Sequence, residues 1–153
     1  MSAIVNNTTN YNLALPFYKS SVANPENMAL FVGGARLSYG RLAELARRVA
    51  GWLGRKAGEA SGLVGILASR TVEAYAGVLG TLWSGGAYVP INPHTPEERL
   101  IRILQMTNLD ALIVDQAGLD LLGSCAGMRT WTDTLRSSRK TAAQRPRIPR
   151  NLS

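Results

Sequence analysis

The sequence holds one cysteine, Cys125, and one histidine, His94. A lone thiol has no partner within its own chain, and one imidazole with one thiol falls short of the four ligands of a structural zinc site. Disulfide scaffolds and zinc folds are thereby excluded. Long apolar runs are missing too. The stretch Met1-Ser2-Ala3-Ile4-Val5-Asn6-Asn7-Thr8-Thr9-Asn10 has no basic start. It also lacks the apolar core that a signal peptide, or a membrane span of about 20 residues, requires. The expectation is a cytoplasmic protein with no membrane partner. The Asn-x-Thr triplets at Asn6 and Asn7 then fall in a polar lead, read as disordered over residues 1–12.

Acid is scarce at one end. From Arg129 onward seven basic residues face a single acid, Asp133, a net of +6, whereas the residues before it carry ten bases and nine acids. The formal charge of +7 therefore lies almost wholly in residues 129–153. That segment has no aromatic residue after Trp131 on which bases could stack, and no recognition helix or zinc finger stands elsewhere. Nucleic acid is not an expected partner. Pro146-Arg147-Ile148-Pro149-Arg150 fits the loose pattern of an SH3 ligand, a match that arises often by chance in Pro/Arg-rich ends. Residues 129–153 are read as a solvated, disordered basic tail, and residues 13–128 as the folded body.

That body has the means to fold. The chain has 153 residues, 46% of them apolar, enough for one domain with its own core. A short helix is expected over residues 13–21, with Leu15, Phe17 and Tyr18 packing inward, followed by a turn at Asn24-Pro25-Glu26-Asn27. Met28-Ala29-Leu30-Phe31-Val32 and Arg36-Leu37-Ser38-Tyr39 flank Gly33-Gly34-Ala35 and read as a β-hairpin. A helix over residues 39–56 follows, capped by Ser38, with Leu42, Leu45, Ala46, Val49, Trp52 and Leu53 on its inner face. Glu44, Arg47, Arg48 and Arg55 form its wet side, and residues 57–62 form a linker.

Leu63-Val64-Gly65-Ile66-Leu67-Ala68 is apolar without alternation, the pattern of a strand covered on both faces. Thr71 caps a helix carrying Val72, Tyr75, Val78, Leu79, Leu82 and Trp83, which Gly85-Gly86 closes. Ala87-Tyr88-Val89-Pro90-Ile91 is the next strand, and its ladder is expected to end or fray at Pro90. After Asn92-Pro93-His94, the run Thr95-Pro96-Glu97-Glu98 reads as a capping box: Thr95 at the N-cap, Pro96 first in the helix, Glu98 bonding back. Leu100, Ile101, Ile103 and Leu104 line that helix's inner face and Asn108 ends it. Ala111-Leu112-Ile113-Val114 is a third buried strand, and a weaker helix is expected over residues 117–125.

The alternation β-α-β-α-β over residues 63–114 demands parallel strands joined by helical crossovers. The expected fold class is α/β: a layered parallel sheet preceded by a β-hairpin and helix. Sheets of this kind bind ligands beyond the carboxyl ends of their strands, here Ser69-Arg70-Thr71 and Asn92-Pro93-His94. Neither loop carries a phosphate-cradling signature.

Two stretches resemble motifs of a known family. Leu37-Ser38-Tyr39-Gly40-Arg41-Leu42-Ala43-Glu44-Leu45 resembles the first core motif of the adenylate-forming enzymes. Leu82-Trp83-Ser84-Gly85-Gly86-Ala87-Tyr88-Val89-Pro90-Ile91-Asn92-Pro93-His94-Thr95-Pro96-Glu97-Glu98-Arg99-Leu100 is similar to the second core motif of amino-acid adenylation domains of nonribosomal peptide synthetases, departing at Trp83, Ser84, Asn92 and Thr95. The resemblance spans residues 13–115. It implies the amino-terminal subdomain of the adenylate-forming fold, in a family that uses ATP and magnesium to convert a carboxylic acid to an acyl-adenylate and pyrophosphate. The acyl group then passes to a phosphopantetheine thiol.

The family's other parts have no counterpart in this sequence: the Gly/Ser/Thr-rich phosphate loop, the aromatic adenine motif, the ribose-binding aspartate and the late lysine. Ser137-Ser138-Arg139-Lys140-Thr141-Ala142 has no glycine to bring backbone amides near a phosphate. His94 sits in a proline-flanked turn without a Gly-x-Ser-x-Gly elbow, Cys125 reads as a small hydrophobe, and Glu97 and Glu98 complement a helix dipole. No catalytic, cofactor-binding or metal residue is expected, and no cofactor for the chain alone. The leading expectation is an amino-terminal fragment of an adenylation domain, truncated and inactive by itself. Two alternatives stand beside it. One is half of a split enzyme completed by a partner chain. The other is a non-catalytic module docking on synthetase or carrier domains, its basic tail steering it to acidic surfaces.

Overall fold

Asn12 opens the described part of the chain with a turn, its Oδ1 accepting the Ala14 N–H at 2.9 Å. The computed structural model describes residues 12–54, 62–122 and 130–131. Outside them lie several regions read from sequence: the lead, the linker over residues 57–61, Arg55, Cys125, the 137–142 segment and nearly all of the basic tail. Because of the opening turn, and because Pro16 suits a first helical turn, α1 runs Leu15–Ala23 rather than 13–21. It stops where Asn24 precedes Pro25. Phe17 packs inward, but Leu15 and Tyr18 are each 43% exposed, against the expectation that both pack onto the body.

β1 (Met28–Val32) and β2 (Ala35–Ser38) pair antiparallel. Gly33 and Gly34 join them with φ of +56° and +79°, a left-handed pair that side-chain-bearing residues resist and a two-residue hairpin needs. Ser38 then caps α2 (Tyr39–Leu53), its Oγ accepting the Arg41 N–H at 3.3 Å. The helix ends at Leu53, three residues short of the expected end, with Gly54 as its C-cap, and buries Leu42, Ala43, Leu45, Ala46, Val49 and Leu53. Glu44, Arg47 and Arg48 are exposed, and Arg41 pairs with Glu44.

The second sheet is built from β3 (Leu63–Leu67), β4 (Ala87–Ile91), β5 (Ala111–Val114) and β6 (Thr130–Trp131). Their order is β4-β3-β5-β6, every pair parallel. No strand is expected at β6 from sequence, because two residues are too few to carry a period. The helices α3 (Val72–Trp83), α4 (Glu97–Thr107) and α5 (Gln116–Leu122) follow β3, β4 and β5 in turn. Period-two alternation sorts β5 between two cores. Ala111 and Ile113 join Val64 against α2 and α3, while Leu112 and Val114 join Leu67 and Ile91 against Leu100 and Leu122 of α4 and α5. The chain steps from β3 outward to β4 over one face and returns past β3 to β5 over the other. Reversing direction and face together keeps the hand of the crossover constant.

Two further local expectations are corrected. The ladder does not stop at Pro90, which stays in register opposite Ile66, with Ile91 opposite Leu67; β4 is the sheet's edge, where a residue lacking an N–H is tolerated. The side of α3 that is buried consists of Ala76, Gly77, Gly80 and Thr81, on which sequence sets no expectation; Val72 and Leu79 pack at its margin and Tyr75 is 40% exposed. The cause is proximity. A Cβ on Gly80 would lie 2.5 Å from Val49 Cβ and 2.7 Å from the Ala46 carbonyl oxygen, and one on Gly77 would lie 2.9 Å from Ile113 Cγ2. The second correction, at the start of α4, belongs with the site below.

The α2–α3 seam is open to two tests. Gly80→Val overpacks it against α2 backbone and is expected to lower the chain's stability by about 1–3 kcal/mol, read from the urea midpoint at unchanged slope. The Thr81 hydroxyl, fully buried, has no hydrogen-bond partner among the described residues. Thr81→Val keeps the shape and removes that group, so the same measurement should show a gain of about 1 kcal/mol. A loss would reveal a bound partner for the hydroxyl.

Candidate functional site at the carboxyl edge of the sheet

Leu67 stands opposite Ile91 on one side and Val114 on the other, so the three long strands end at one level. The residues that follow them therefore share one edge: Ser69, Arg70 and Thr71 after β3, Asn92, Pro93 and His94 after β4, Asp115 after β5. In a sheet whose order reverses around β3, this is where ligands are ordinarily met.

Asp115 dominates the edge. It is 3% exposed, and its carboxylate accepts three hydrogen bonds: the Ser69 N–H at 2.9 Å and Ser69 O–H at 3.3 Å on Oδ2, and the Gly118 N–H at 2.8 Å on Oδ1. Its backbone carbonyl accepts from Leu119 N–H at 2.9 Å, which makes it the N-cap of α5. A Cβ on Gly118 would sit 2.3 Å from the Leu67 carbonyl oxygen, so α5 begins pressed against the end of β3. One side chain thus closes the gap between two loops. An ionised carboxylate is an acceptor only, and three donors occupy most of what this one can offer.

The neighbouring loop is closed in a similar way. Asn92 Oδ1 accepts the His94 N–H at 2.9 Å and Asn92 carbonyl accepts the Thr95 N–H at 2.9 Å, an Asx turn that keeps Thr95 out of the helix. The expected capping box is therefore not formed. Pro96, extended with ψ of 142°, is the N-cap, no side chain caps the helix, and Leu100 N–H donates to the Pro96 carbonyl at 2.9 Å. Glu97 and Glu98 occupy the first turn, exposed, where negative charge complements the helix dipole. His94 is exposed, and no imidazole–carboxylate bond is present among the described residues. Thr71 caps α3 as expected, its Oγ1 accepting the Ala74 N–H at 3.4 Å.

Among the described residues no three His, Cys, Asp or Glu side chains come together to hold a metal ion. The one buried carboxylate of the edge is already engaged, so these residues do not fit a magnesium site. No helix among them is long and apolar enough to cross a membrane. Away from the edge, where α3 ends, an open recess of about 320 Å³ is lined by Asn12, Ala14, Leu15, Tyr18 and Trp83. Tyr18 meets Trp83 edge-on there, with ring centroids 5.1 Å apart.

A family model described as AMP-binding enzyme matches residues 17–150. This chain belongs to that family. Tyrocidine synthase 3 of Brevibacillus parabrevis is 39% identical over 95 residues, 62% of this chain and 2% of that protein. The crystal structure of the nonribosomal peptide synthetase FmoA3 in its AMPPNP-bound form overlays with a TM-score of 0.74 at 30% identity, covering 88% of this chain and 14% of that one. The N-terminal subdomain of Klebsiella oxytoca NpsA shares the fold at 24% identity and a TM-score of 0.60, covering 75% of this chain and 33% of that one. The chain thus spans about 2% of the length of these curated relatives and corresponds to the amino-terminal portion of an adenylation domain of nonribosomal peptide synthetase type.

Within the chain the second motif has a structural role. Gly85, at φ +79°, ends α3, with Gly86 N–H donating to the Thr81 carbonyl at 3.0 Å and Gly85 N–H to Leu82 at 3.2 Å. That paired arrangement turns the chain straight into β4. Asp115, by contrast, belongs to no motif that sequence reasoning singled out, although an aspartate between a buried strand and a helix is the signal of an N-cap.

Asp115→Ala leaves the Ser69 and Gly118 amides without an acceptor and is expected to cost about 1–3 kcal/mol in a denaturant titration. Asp115→Asn should recover part of that loss, because an amide oxygen still accepts. An unchanged midpoint for Asp115→Ala would mean that the carboxylate does not hold the edge.

Proposed function

We propose that this chain is a structural part of an acid-activating enzyme and does not catalyse adenylation by itself. In the complete family enzyme ATP and magnesium convert an amino acid, or another carboxylic acid, into an acyl-adenylate. This reading assigns the chain no catalytic, cofactor-binding or metal-ligating residue, a cytoplasmic location, and a body over residues 13–128 followed by a basic tail. The observation that carries it is the self-satisfied carboxyl edge, where Asp115 is consumed by Ser69 and Gly118 and the exposed His94 has no imidazole–carboxylate bond among the described residues. The test is exchange of labelled pyrophosphate into ATP by the purified chain in the presence of mixed amino acids. Exchange at the level of a heat-killed control is expected, and exchange well above it would overturn the proposal.

A second reading is favoured by apolar side chains left in water: Val22 is 64% exposed, Met28 62%, Phe31 60% and Met106 84%. In that reading a complementing adenylation-domain chain, or the synthetase and carrier domains of such an assembly, covers them. Co-expression with a chain carrying the phosphate loop, adenine motif and late lysine should then restore exchange activity. A chain that stays monomeric at high concentration and binds no apolar dye would count against it.

A further inference from the structure

We draw no further inference here: the strongest candidate, the open apolar recess where Leu15 and Tyr18 of α1 meet Trp83 at the end of α3, carries nothing, because nothing in the structure shows what covers it.

Discussion

Covering both faces of β3 and β5 is the constraint on which the rest of the molecule depends. All four residues of β5 are buried, as are Val64, Gly65, Ile66 and Leu67 of β3. Each Val, Leu or Ile taken out of water there contributes about 1.5–3 kcal/mol, a gain that is lost if either helical layer is missing. Parallel pairing makes the layers compulsory, since each return to the starting edge needs a crossover long enough to be a helix. The α4 layer also needs room. A Cβ on Gly65 would lie 2.5 Å from Leu112 Cδ2 and 2.7 Å from Leu109 Cδ1, so that face closes over a strand position without a side chain.

The same demand explains α3. To cover Ile113 on the sheet and Val49 on α2 at once, the helix approaches both closely, and small residues occupy the contacting positions. Its ends then fix its neighbours. Thr71 sets its start at the carboxyl edge, and the Gly85-Gly86 turn delivers β4 into register with β3. Charge has little part in this. The described residues carry eight basic and eight acidic side chains, so the whole formal excess of +7 lies outside them.

Much of this architecture was legible because burial leaves periodic marks. The unbroken apolar runs at residues 63–67 and 111–114 marked the central strands, the spacing of Leu42, Leu45, Ala46 and Val49 marked the inner face of α2, and Gly33-Gly34 marked the hairpin. The errors fell where a local signal competed with a tertiary or neighbouring one. Thr95, Pro96 and Glu98 have the residue types of a capping box, but the Asn92 turn claims the Thr95 amide first. The pressed side of α3, at Ala76, Gly77, Gly80 and Thr81, is set by distance of approach and leaves no apolar spacing to read. Leu15 and Tyr18 are apolar enough to pack inward, yet the Asn12 turn and Pro16 set a helix that leaves them at the recess. The role of Asp115 depends on Ser69, 46 positions away, and no spacing rule within a short window joins the two.

Closure of the carboxyl edge by the chain's own hydrogen bonds is the central claim. Native-state amide hydrogen exchange measured residue by residue on the chain tests it most directly. The Ser69 and Gly118 amides, each bonded to the Asp115 carboxylate, are predicted to exchange far more slowly than unbonded surface amides. Exchange of these two amides at the rate of the exposed hairpin turn at Gly33 and Gly34 would contradict it.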